Sequence, residues 1–151
     1  MLIQTSQTIP KQNKNNEIDF LRLFKIVNEQ VSLAFEIKID LFYEISFISE
    51  ASSQKFNNKY RKKDYVADVI SIPLWENQAF VTPLLGEIYM CLPKIKKQAK
   101  KYGVSYLSEI ARMLIHGILH LLEFDHEQSV TLEYVTLKIQ DKIHKKVLKQ
   151  Y

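Results

Sequence analysis

"SYLSEIARMLIHGILHLLEFDH", residues 105–126, is the stretch on which the fold turns. From Ser105 to about Leu122 its apolar residues run nearly all round a helical projection, so the spacing predicts a helix buried on every side. Such a helix needs other elements packed over it, and the flanking sequence has to supply them. The same stretch holds three of the chain's four histidines, His116, His120 and His126.

Upstream, Gly103 is a natural stop for a helix over "KIKKQAKKYG", whose first turn tolerates Pro93. "LLGEIYMCL" (84–92) is an almost unbroken apolar run of strand length, which predicts a strand buried on both faces. A connector carrying Trp75 and Pro83 separates it from "YVADVISI" (65–72), a strand ended by Pro73. "SEASSQKFNNKYR" (49–61) is polar and reads as a short helix with Ser49 or Ser52 near its cap. In "KIDLFYEISFIS" (38–49), Ile39, Leu41, Tyr43, Ile45 and Phe47 share one face at period two, the mark of a strand. Phe20, Leu23, Phe24, Val27 and Val31 recur at helical spacing between Glu17 and about Phe35. Residues 2–7 read as a short first strand followed by the polar connector "KQNKNN". Downstream, an amphipathic, basic helix occupies roughly 129–148. No internal repeat interrupts this order. The pattern predicts one α+β domain over 1–151, with a small mixed sheet of about four strands and about five helices. Residues 1–16 are the segment it constrains least.

A chain of 151 residues can bury a sizeable core, and 46% apolar with 25% charged is ordinary for a globular protein. Cys91 is the single cysteine, which excludes an internal disulfide and suits a reducing compartment. The N-terminal stretch has no signal-peptide core and no segment approaches the length of a membrane span, so a cytoplasmic protein without membrane contact is expected. The net charge of +4 is mild. Its distribution says more, because the basic residues cluster at 55–63, 94–101 and 138–149. Clusters of this kind either attract nucleic acid or form solvated helix faces.

His116 and His120 are four residues apart, so both imidazoles leave nearly the same helix face and can reach one ion. A third ligand on the same straight helix would miss it. His126 comes after "LLEFD", a break that could fold the chain back. One histidine on a buried helix is ordinarily a satisfied core residue; three at this spacing favour a metal site. The spacing matches the zincin pattern H-E-x-x-H-x-x-G-x-x-H. Here, however, Gly117 stands at the general-base glutamate and Glu123 at the glycine. A glycine can neither take nor give a proton, which counts against a peptidase mechanism. Three neutral ligands leave a coordination position open, as catalytic zinc sites do. Zinc, one ion per chain, is the expected metal, although nickel or copper also accept imidazoles.

"HGILHLLEFDH" (116–126) resembles the signature H-G-x-L-H-L-x-G-Y-D-H of the bacterial YbeY family of metal-dependent endoribonucleases. "YRKKDYVADVISIP" (60–73) is similar to that family's Y-R-x-K-D-x-P-T-D-V-L-S-F-P, and "LLGEIYMC" (84–91) to its L-L-G-D-I segment. The three occur in family order over roughly residues 40–130. The resemblance implies zinc held by His116, His120 and His126, with catalytic roles for Arg61 and His116. It further implies cleavage of single-stranded RNA in maturing the 3′ end of small-subunit rRNA and in ribosome quality control. The implied partners are the small ribosomal subunit and its assembly proteins. Glu123, Phe124, Val66–Ala67 and Ile72 depart from the family residues at their positions.

Arg61 suits charge compensation at a phosphodiester, since a guanidinium grips two phosphate oxygens where lysine cannot. Asp125 is a candidate to orient a ligating histidine, or else a turn residue. Asp68 and Ser71 either touch substrate or brace their strand. Arg112 lies one turn before His116 and either faces the site or pairs with an acid elsewhere. His144, among lysines, reads as surface. Two alternatives stand beside the nuclease: a non-catalytic ribosome-assembly factor with structural zinc, and another metal-dependent hydrolase such as a peptidase.

Overall fold

The computed structural model describes residues 2–6, 18–74, 83–122 and 130–151, with side chains from Ile18 onward and, in the last helix, from Tyr134 onward. The connector at Trp75 and the segment holding Glu123, Phe124, Asp125 and His126 lie outside the described residues. The elements run β1 (Leu2–Ser6), α1 (Phe20–Ala34), β2 (Leu41–Phe47), α2 (Glu50–Arg61), β3 (Val69–Pro73), β4 (Leu84–Met90), α3 (Leu92–Tyr102), α4 (Tyr106–Leu121) and α5 (Val130–Gln150). It is an α+β fold with a mixed sheet. The strand order is β1-β2-β4-β3, parallel except for β3, which runs antiparallel to β4.

Local chemistry starts and stops the helices. Asp19 caps α1 through Arg22 N (3.1 Å), Ser49 caps α2 through Ser52 N (3.1 Å), and Ser105 caps α4 through Ser108 N (3.1 Å). Pro93 sits in the first turn of α3, and Gly103 closes that helix at φ +66. The apolar stripe of α1 is buried as its spacing predicts, with Leu23, Phe24, Val27 and Val31 fully enclosed. Each such side chain contributes about 2 kcal/mol. Phe20 and Phe24 meet Phe47 of β2 at ring distances of 5.4 and 6.3 Å.

Two expectations change. Ile39 is exposed, because the chain enters β2 only at Leu41 and the period-two pattern is shorter than it looked. β4 is not buried on both faces: Ile88 and Met90 join the core, whereas Glu87 and Tyr89 alternate with them and are half-buried. The Tyr89 hydroxyl donates to Glu87 Oε2 (3.0 Å), and Phe56 of α2 packs on the Tyr89 ring at 5.1 Å. One short polar helix therefore covers what a full helical layer would otherwise have to cover.

α4 is the inner helix, in contact with β3, β4, α1, α3 and α5. Gly86 seats it on the sheet. At φ +151 beside a register shift opposite Phe42 and Tyr43, a Cβ here would lie 2.2 Å from Ile72 O and 2.9 Å from the Leu121 side chain.

Candidate metal centre

Within residues 109–121 every residue is buried except Arg112, His116 and His120, which are half-buried. Their spacing of four places all three on one line along α4. The polar stripe thus follows from the rest of the helix being enclosed: only this line meets solvent.

The imidazoles of His116 and His120 lie with centroids 4.5 Å apart, tilted by 53°. His116 Nδ1–H donates to Oε1 of Gln140 on α5 (2.7 Å). A carboxamide oxygen only accepts, so the bond places the proton on Nδ1 and makes Nε2 the nitrogen that carries the lone pair, the form in which imidazole ligates a metal. Gln140 is buried. His120 has other contacts, while its Nε2 is buried with no hydrogen bond. Both histidines, and this nitrogen in particular, fit the donor chemistry of zinc. Gln140 is absent from every motif of the sequence; the signal for it is a polar residue in line with Thr136, Ile143 and Val147, all buried, on the inward stripe of α5.

Gly117 has a packing reason. A Cβ there would lie 3.2 Å from Ser71 Oγ, 3.2 Å from Val69 Cγ2 and 3.4 Å from Ile88 Cδ1. The position of the zincin glutamate therefore faces the sheet at close quarters, and a long carboxylate has no room there. Ser71 in turn donates from Oγ to the Gly117 carbonyl (2.9 Å), binding β3 to the turn of α4 that carries His116.

Asp68 is held by two hydrogen bonds. Its Oδ1 accepts from Val69 N (2.7 Å), and its Oδ2 accepts from Gln98 Nε2 (3.1 Å). Gln98 Nε2 also donates to Oε1 of the buried Glu109 (2.9 Å), the same oxygen that receives Arg112 Nε (3.1 Å) and Nη2. Arg112 thus pairs with an acid, Glu109, while lying on the same line of α4 as the histidines. Arg61 lies on another element, as the last residue of α2, where Lys62 adopts a left-handed cap at φ 56. The segment after it is strapped to α2 by Ser53 Oγ to Ala67 O (2.6 Å), Ala67 N to Ser53 Oγ (2.9 Å) and Asn57 Nδ2 to Tyr65 O (2.9 Å).

Cys91 is fully buried at the start of α3, and burial pushes its thiol pKa up, so it is a core residue there. His144 is not a surface residue. It is half-buried, and its Nε2–H donates to Ser108 O (2.9 Å), a second polar tie from α5 to α4. His126 and Asp125 belong to the segment outside the described residues; among the described residues no third histidine, cysteine or carboxylate joins the pair. The lysines at 138–149 line an open groove on the outer face of α5.

Fold and site together define a small α+β protein whose inner helix presents paired imidazoles beside a mixed sheet. The chain belongs to the YbeY family: the family model described as Endoribonuclease YbeY matches residues 7–148. It is 55% identical over 131 residues to Endoribonuclease YbeY of Mycoplasmoides gallisepticum, covering 87% of this chain and 80% of that protein. The protein of the same name from Persephonella marina is 37% identical over 126 residues, covering 82% of each. The solution structure of TM1509 from Thermotoga maritima shares the fold, with a TM-score of 0.63 at 24% identity over 99% of this chain and 91% of that one. No helix among the described residues is long and apolar enough to cross a membrane.

Proposed function

We propose that the chain is a zinc-dependent endoribonuclease that cuts single-stranded RNA in maturing the 3′ end of small-subunit rRNA and in ribosome quality control. Its setting is the cytoplasm, in contact with the small ribosomal subunit and its assembly proteins. The observation that carries the zinc reading is the His116–Gln140 bond, which presents the His116 Nε2 lone pair on the same face as His120. His116, His120 and His126 hold the ion. When bound, zinc supplies Lewis-acid polarisation at a phosphodiester. Arg61 compensates charge on the phosphate through its planar fork. Gln140 keeps the His116 proton on Nδ1, and Ser71 holds the turn between the two ligands. A protease-type carboxylate has no counterpart at Gly117.

Metal analysis paired with an RNA cleavage assay on wild type, His120→Ala and Arg61→Ala tests this. Wild type is expected to carry about one zinc per chain, as three-ligand sites do, and to lose cleavage on chelation. Arg61→Ala keeps the metal and loses cleavage, while His120→Ala loses both. A zinc-loaded wild type that cuts no RNA sinks the catalytic reading.

A further inference from the structure

We infer that Arg112 is a further substrate-binding residue, gripping an RNA phosphate one helical turn along α4 from the histidine pair. The inference rests on the nuclease reading above and deepens it. Arg112, His116 and His120 are the residues of the inner helix within 109–121 that are not buried. A spacing of four sets the Cβ atoms of Arg112 and His116 about 6 Å apart on one face, so Arg112 is the next solvent-facing side chain along that face, its guanidinium turned toward Glu109. Its side chain is 32% exposed while that of its partner Glu109 is 3% exposed, so the carboxylate is the buried anchor and the guanidinium the accessible end. Glu109 takes the Nε–H and one Nη2–H on a single oxygen. A guanidinium has five N–H donors, and the remaining three are directed away from that oxygen. Gln98, which also donates to Asp68, donates to Glu109 in turn, so the guanidinium is fixed before substrate arrives. A held, planar fork beside a metal site is suited to a phosphate oxygen pair.

The competing explanation is that Arg112 only neutralises Glu109, because a buried carboxylate left unpaired is costly. Two variants separate the explanations. Arg112→Lys retains the charge that Glu109 needs and loses the fork. The double variant Glu109→Gln with Arg112→Gln removes both charges together, so nothing buried is left uncompensated. RNA affinity is read by fluorescence anisotropy on the full chain with a short unstructured RNA, with and without zinc. The kcat and KM of cleavage and the zinc content are read alongside.

We expect both variants to weaken RNA binding about 10- to 100-fold and to raise KM, with zinc content unchanged. Wild-type affinity in the double variant overturns the inference and leaves Arg112 as a counter-charge. If the double variant does not fold, Arg112→Lys decides alone, since a purely neutralising role leaves its RNA affinity unmoved. A wild type that binds RNA without cutting it sinks the nuclease reading and leaves this one to the binding data. A wild type that binds no RNA overturns this one.

Discussion

Gln140 meets His116 across 24 residues of chain, and the bond dictates a tautomer rather than merely filling space. Replacing Gln140 with leucine keeps the volume and removes the acceptor, leaving the half-buried His116 Nδ1–H without that partner. We expect zinc affinity in Gln140→Leu to fall about 10- to 100-fold, read by competition with a chromogenic chelator, while far-ultraviolet circular dichroism shows the fold retained. Gln140→Glu keeps an acceptor and holds zinc at least as well as wild type. Equal affinity in wild type and Gln140→Leu means the bond orients nothing. The histidine pair itself was legible in the sequence, because two ligands four apart on one helix are a local geometric fact. Gln140 was not: a contact between separate helices is set by how α5 docks on α4, and no spacing within either one states it. The role of Glu109 was hidden for the same reason, since Gln98 reaches it from α3.

At the scale of elements, the seat of α4 depends on one backbone position in β4. Gly86 combines a positive φ with an approach in which a Cβ would overlap Ile72 O, and Leu121, which closes α4, presses on the same point. Gly86→Ala therefore has no cheap relaxation, because the obstructing atom is backbone of the paired strand. A loss of more than about 3 kcal/mol is expected, seen as a lower urea midpoint or failure to accumulate folded protein. A near-normal midpoint would show that β3 and β4 can part at Pro73 without disturbing α4. The helices and strands were mostly legible from period and capping, as with α1, α3 and α4. What misled was the apolar run of β4, which reads as doubly buried because tyrosine looks apolar in a pattern. In the fold Tyr89 spends its ring on Phe56 and its hydroxyl on Glu87, and so sits at a half-exposed face. The bulge at Gly86 left no periodic trace either, since it is a mismatch between two strands rather than a feature of one.

For the whole molecule, the layer between α1 and the sheet carries a titratable group that links its stability to pH. Tyr43 is fully buried in β2 and donates its hydroxyl to Asn28 Oδ1 of α1 (2.7 Å). Burial holds its pKa far above the ordinary 10.0. Below the unfolded value both states keep the proton, and the contribution is complete. Above about pH 10 the unfolded chain gives the proton up first, so unfolding gains up to about 1.4 kcal/mol per pH unit from this one group. Tyr89, pushed up to about 12 by burial and then by Glu87, adds a fall of the same sign. Tyr43→Phe separates the two. It leaves Asn28 Oδ1 buried without its donor, so the variant starts about 1–3 kcal/mol less stable near neutral pH. It has no proton at position 43 to lose, so its alkaline decline is the shallower one. Urea unfolding of both proteins from roughly pH 8 to pH 11 should show the gap constant at first and closing above about pH 10. A gap that stays constant throughout would mean that Tyr43 ionises in the folded protein as readily as in the unfolded chain, and that water reaches the layer between α1 and the sheet.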